Sequence, residues 1–134
     1  MPHEPLEKLR IWQDAFELAQ MIHELNKEVT GESALKNQSD RSSQSVCDNI
    51  SEMYGAYYYR VKKNSLRIAR KEAYETINHV KKYKERGLWR YHACDNLISR
   101  YELLVVSINS YIKYLERKES FVAEPTSANQ RINN

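Results

Sequence analysis

Residues 35–60, LKNQSDRSSQSVCDNISEMYGAYYYR, decide the fold. Leu35, Gln38, Ser42, Ser45, Asn49, Met53 and Tyr57 recur at spacings of three and four, which is one face of a helix. More than half of that face is Gln, Ser or Asn. A helix buries such a face only where neighbouring helices come close and supply hydrogen-bond partners. The stretch therefore predicts a helix packed closely among others, ending near Tyr59 or Arg60. Gly55, in its last third, either loosens this helix or permits close backbone approach.

The flanking sequence supplies the neighbours. Over 6–29, Leu9, Trp12, Phe16, Ala19, Ile22, Leu25 and Val29 form one apolar stripe opposite Lys8, Gln13, Asp14, Glu17, Gln20, Glu24 and Lys27, an amphipathic helix. Gly31 is its natural stop and Ser33 a cap for the next helix. A third helix is expected from 63 or 64 to 86, capped by Asn64 or Ser65 and ended by Gly87. Its stripe is Leu66, Ala69, Ala73, Ile77, Val80 and Tyr83, whose alanines let the central helix come near. The fourth, over 91–118, has the cleanest pattern, with Cys94, Leu97, Tyr101, Leu104, Ile108, Tyr111 and Leu115 alternating three and four apart. Ile98, Val105 and Ile112 widen that face beyond what one partner helix needs, so a third neighbour or a subunit interface is expected there. Residues 119–134 are polar and aperiodic and read as a disordered tail. The expected fold is all-α: an antiparallel up-down-up-down four-helix bundle over 6–118.

Composition agrees. The 134 residues include only 3 Gly and 3 Pro, and all the prolines lie near the ends, so nothing breaks the interior helices. The net charge of +3 permits a polyanionic partner without requiring one. Cys47 and Cys94 make a poor disulfide framework and read as reduced core residues of a cytoplasmic protein. The first residues, MPHEPLEKLR, lack the apolar region of a signal peptide, and the aliphatic run Leu103–Val106 is far too short to span a membrane.

Three stretches carry a family resemblance. LRIWQDAFELA offers Leu9, Trp12, Gln13, Ala15 and Leu18; the central helix offers Leu35, Gln38, Arg41, Ser45, Asn49, Ile50 and Glu52; LRIARKEAYETIN opens the third helix. In this order and spacing they resemble the bacterial 23S rRNA-intervening-sequence (S23) family. Cys47, Ser51 and Met53 stand where that family usually has proline, alanine and glycine. The resemblance implies a four-helix bundle, commonly assembled into a ring-like homopentamer, and no enzymatic activity. Similar bundles are accessory variability proteins of diversity-generating retroelements, which bind nucleic acid and a reverse transcriptase.

Two constellations invite a functional reading. Gln38, Arg41, Asn49, Glu52, Glu72 and Glu75 can be a ligand or metal site inside the bundle, or a polar network fixing helix register. A di-iron site needs two Glu-x-x-His pairs, and none is present, so the register network is the stronger reading. His3, His23, His79 and His92 have no metal-ligand spacing, and neither a nucleophile elbow nor a phosphate-binding glycine loop exists. No metal, cofactor or catalytic residue is expected.

The second constellation is RVKKNSLRIARK, where Arg60, Lys62, Lys63, Arg67, Arg70 and Lys71 follow the aromatic run Tyr57, Tyr58 and Tyr59 with no acidic residue among them. A further basic cluster follows at Lys81, Lys82, Lys84, Arg86 and Arg90. Cations beside aromatics hold phosphates and stack on bases. The competing reading is a solvated face with the tyrosines at a subunit interface. The sequence thus points to an oligomeric RNA-associated adaptor, with Tyr57 and Tyr58 as stacking partners; the alternative is a protein–protein scaffold that binds no nucleic acid.

Overall fold

A computed structural model describes residues 4–123. A 3-10 turn, Leu6–Lys8, leads into four helices: α1 (Arg10–Asn26), α2 (Ser33–Gly55), α3 (Tyr59–Glu85) and α4 (Tyr91–Ala123). Contacts tie the end of α1 to the start of α2 (Asn26 to Ser39), the end of α2 to the start of α3 (Met53 to Lys62) and the end of α3 to the start of α4 (Lys84 to Asp95). Arg100 joins α4 back to Glu17 of α1. Consecutive helices are therefore antiparallel and the circuit closes, which is the expected up-down-up-down bundle. No helix among the described residues is long and apolar enough to cross a membrane.

The core runs the length of the bundle. Leu18 and Ile22 of α1, Val46 and Ile50 of α2, Leu66 and Val80 of α3, and Leu97, Tyr101 and Ile108 of α4 are all fully buried. The α3 and α4 stripes are buried as expected, Tyr111 only partly. On α2 the buried line lies about one residue from the expected one: Leu35, Ser39, Ser42, Val46, Ile50 and Met53, with Ser43 and Cys47 beside it. Gln38 is exposed and Ser45 and Asn49 are half-buried, because Val46 and Ile50 must turn inward. On α1 the shift is confined to the first turns, where Ile11, Ala15 and Leu18 are buried while Phe16 is exposed and stacks on the half-buried Trp12, centroids 4.9 Å apart; Ala19, Ile22 and Val29 are buried as expected.

The helix ends differ too. α2 stops at Gly55, about a turn early, and Ala56 is extended. A Cβ at Gly55 would meet nothing within 4 Å, so this glycine admits no close neighbour; it is the last helical residue. α3 consequently begins at Tyr59, and neither Asn64 nor Ser65 caps it. Ser33 is the first residue of α2 instead of its cap, preceded by Gly31 and Glu32 with φ of +73° and +55°. At the far end Gly87, at φ +67°, lets Leu88 N–H reach the Tyr83 carbonyl and its own N–H that of Lys84, the hydrogen-bond pair that closes many helices. α4 continues through Ala123, so 119–123, expected in the tail, are helical; 124–134 lie outside the described residues.

α2 and α3 form the most intimate pair. Ser39 and Ser42 of α2 and Ala69, Ala73 and Thr76 of α3 are buried, and small side chains let the backbones approach. The hydroxyls are satisfied across the seam, Ser42 to Thr76 at 2.8 Å. A second buried set joins three helices: Tyr83 donates to Asn26 Oδ1 at 2.6 Å, and Asn26 Nδ2 donates to Ser39 Oγ at 3.0 Å. Ser39 Oγ lies 2.9 Å from the Tyr83 hydroxyl and can donate to it, closing a three-residue cycle. This is the polar network that fixes the register.

Candidate nucleic-acid interface

The early start of α3 puts all six cations of the basic segment on one helix. At about 100° per residue they fan out to three sides. Lys62 turns to α2, where its ammonium donates to the carbonyls of Met53 at 3.0 Å and Tyr54 at 3.4 Å. The Met53 carbonyl also accepts from Ala56 N–H at 3.3 Å, while the Tyr54 carbonyl has no other partner among the described residues, so Lys62 caps that helix. Burial lowers its pKa. Lys63 turns to α4 and lies 2.7 Å from Glu119, with only 16% of its side chain exposed. Arg70 faces the same way and donates to Asn109 Oδ1 at 2.7 Å. Half of the predicted set therefore holds the bundle together.

Arg60, Arg67 and Lys71 point outward, exposed, and form no ion pair among the described residues. Tyr74, 57% exposed, and Lys81 extend the same line. Arg60 to Lys81 is a rod of about 32 Å, all five side chains within about 80° around the axis. Sequence reasoning does not single out Tyr74, although it stands three residues after Lys71 and seven after Arg67. Tyr57 and Tyr58 occupy the α2–α3 connection at the Arg60 end, 86% and 66% exposed, packed edge to face at 5.0 Å.

The expected six-residue network is mostly absent. Gln38 and Glu52 are exposed and make no side-chain hydrogen bond among the described residues. Asn49 bonds only its own helix, at Ser45. Of the four α2 members of that set, only Arg41 reaches across to α3, 3.7 Å from Glu72 and 3.4 Å from Glu75. Glu72 is only 7% exposed and its Oε2 has no hydrogen bond. Burial pushes its carboxyl pKa up, the Glu75 charge adds to this, and Arg41 opposes it. About two turns on, burial and then Lys82 lower the pKa of His79, whose Nδ1 is also unpartnered. No group of three or more His, Cys, Asp or Glu among the described residues is arranged to hold a metal ion.

No curated protein matches the chain. Among solved structures, the fold matches a Bacteroides thetaiotaomicron protein described as of unknown function from the S23 ribosomal protein family. The TM-score is 0.71 at 24% identity, over 77% of this chain and 98% of that one. The model of the 23S rRNA-intervening sequence protein family matches residues 7–110, from the turn before α1 into α4. By that match the chain, as its motifs in α1, α2 and α3 indicated, belongs to the 23S rRNA-intervening sequence protein family.

Proposed function

We propose that this protein is a non-enzymatic, self-associating bundle of the cytoplasm that binds nucleic acid, RNA foremost, along the outward face of α3. The observation that carries this is the line of Arg60, Arg67 and Lys71, cations without an ion-pair partner among the described residues, while the fold uses Lys62, Lys63 and Arg70 internally. Arg60, Arg67 and Lys71 neutralise phosphates; Tyr57, Tyr58 and Tyr74 offer faces to unstacked bases. Assembly into a ring, pentameric as in the family, multiplies a weak patch by presenting several copies.

Fluorescence anisotropy with a structured RNA and a duplex DNA, at low salt and at fourfold higher salt, tests this. Three phosphate contacts give a log–log salt slope of about −2.1 to −2.7, so a fourfold rise in salt weakens binding by about 20- to 40-fold per engaged chain. Arg60→Glu with Arg67→Glu and Lys71→Glu removes that component and leaves the oligomeric state intact. Equal binding by this variant refutes the assignment. The second reading, a protein scaffold, rests on the outward side of α4, where Leu103, Val106 and Phe121 are 66%, 60% and 81% exposed; it gains if wild type shows no binding at low salt.

A further inference from the structure

The cations and the tyrosine on the outward side of α3 leave two gaps, Arg60 to Arg67 and Tyr74 to Lys81, each two turns long. Asn64 and Asn78 fill them. From Arg60 to Lys81 exposed residues then follow each other at alternating spacings of four and three, within about 100° around the helix. No acid stands among them, although the chain has 18 Asp and Glu against 21 Lys and Arg. The next step reaches Glu85, and the ridge ends there. A merely solvated ridge ordinarily mixes the two signs.

The uncharged members are as informative as the cations. Asparagine is a weak helix former, because its amide competes for the backbone. Asn64 and Asn78 nevertheless sit inside α3, exposed, and neither makes a side-chain hydrogen bond among the described residues. Their amides are open to a ligand. So is the ring of Tyr74: among the described residues no other ring packs on it and no cation lies over it, whereas Tyr57 and Tyr58 pack on each other.

Lys71, Tyr74 and Asn78 stand three and four apart, so a cation, a ring and an amide are neighbours along about 10 Å of helix. One unpaired nucleotide uses those three groups: its phosphate meets the cation, its base face the ring, its base edge the amide. A duplex RNA cannot. Its bases cover each other's faces, and the A-form major groove is too deep and narrow for side chains to reach base edges. α3 is also held by α2 through Ser42 and Thr76 and by α4 through Arg70 and Asn109, so it presents one ridge to a ligand and not a whole helix.

We propose that this ridge takes an unpaired RNA strand laid along α3, with one base stacked on Tyr74, that base's edge hydrogen-bonded to Asn78, and flanking phosphates on Lys71 and Lys81. Arg67 and Arg60 carry the strand on, past Asn64, toward Tyr57 and Tyr58. The inference rests on the nucleic-acid reading above and names the form of nucleic acid that the same face takes.

The test is fluorescence anisotropy of the full chain, at low salt, with a short labelled RNA lacking self-complementarity, alone and annealed to its complement. The single strand is expected to bind at least about tenfold more tightly than the duplex. Tyr74→Ala weakens the single strand by about 5- to 150-fold, the loss of one stacked base, and leaves duplex binding alone. Tyr74→Phe keeps the ring and binds as wild type. Asn78→Ala keeps most of the affinity but evens out binding to oligo(A), oligo(C) and oligo(U), which wild type separates. Both alanines are stronger helix formers at exposed positions, so the fold is retained, as circular dichroism checks. No binding of either RNA form overturns the nucleic-acid reading and this inference together. A duplex bound as tightly as the single strand overturns this inference alone. So does a single strand indifferent to Tyr74→Ala but weakened by Arg67→Glu. Unaltered discrimination by Asn78→Ala overturns the edge contact.

Discussion

Tyr83→Phe isolates the hydrogen-bond cycle that joins α1, α2 and α3. The substitution deletes one oxygen and keeps the aromatic ring, which stacks on Trp89 with centroids 3.6 Å apart and planes 4° from parallel. Packing therefore changes little. What is lost is the donor to Asn26 Oδ1 at 2.6 Å and the contact with Ser39 Oγ at 2.9 Å. Ser39 has a fallback acceptor in the Lys36 carbonyl at 3.1 Å. Asn26 Oδ1 has none and becomes an orphan in a residue only 5% exposed. One lost net hydrogen bond and one buried unsatisfied acceptor together cost about 2 kcal/mol. For roughly 120 structured residues that lowers Tm by about 8 °C. Ser39→Ala should cost less, since Asn26 Nδ2 still has Asp40 Oδ1 at 3.1 Å and Tyr83 still donates to Asn26. The double variant should then cost less than the sum of the two. Urea and thermal unfolding of the four proteins measure this. A Tyr83→Phe protein as stable as an exposed control, Tyr74→Phe, refutes the cycle.

Lys62→Gln, which leaves the carbonyls of Met53 and Tyr54 without their cation, is expected to cost about 1 kcal/mol in urea unfolding and to leave the salt slope of RNA binding alone. His79 has a folded pKa below its ordinary value, so its contribution to stability is present above about pH 6.5 and is lost as pH falls through the folded pKa. Glu72, raised, acts in the opposite sense: its contribution is full below the unfolded carboxyl value and fades as pH rises through the folded one. The difference between wild type and His79→Gln should therefore narrow as pH falls from about 7.5 to about 5.5, followed by urea unfolding at each pH; a constant difference would exclude the histidine.

What the sequence made legible follows contrast in hydropathy. On α4 every position from Cys94 to Leu115 in the a/d line is strongly apolar against a polar surround, and that line is buried, Tyr111 in part. α3 is legible for the same reason. On α2, Ser39, Ser42 and Ser43 are inside while Gln38 and Glu52 are outside, and serine gives no contrast to choose by. Leu35 and Met53 belong to both candidate lines and anchor either. Val46 and Ile50 are the informative pair, since the polar line leaves two β-branched aliphatics out of the core. On the first turns of α1 the aromatic weight of Trp12 and Phe16 outvotes Ile11 and Leu18, yet Trp12 is only half-buried and Phe16, stacked on it, is exposed. The basic segment is visible as a run, but a run does not show which way each cation points. That depends on where α3 starts, and the break after Gly55, with Ala56 extended, sets the start.

Whether the outward cations of that segment are mere solvated surface is a question that stability can answer separately from binding. A solvated helix face gains from opposite charges three and four residues apart. Arg67 has Lys63 four residues before it and Lys71 four after, with Arg70 at three, and no acid at any of those positions. Each like-charge pair at that spacing costs about 0.2–0.5 kcal/mol. Arg67→Glu converts these repulsions into attractions, and a glutamate four residues before Lys71 has the favourable direction along the helix. The substitution should stabilise the bundle by about 0.5–1 kcal/mol at low salt, an effect that shrinks as salt is raised. The same change should weaken RNA binding. A residue that lowers stability and raises affinity is placed for a ligand, so opposite signs in unfolding and anisotropy are the expected result. If Arg67→Glu destabilises the protein, Arg67 belongs with Lys63 and Arg70 in the framework, and the α3 line loses its middle contact.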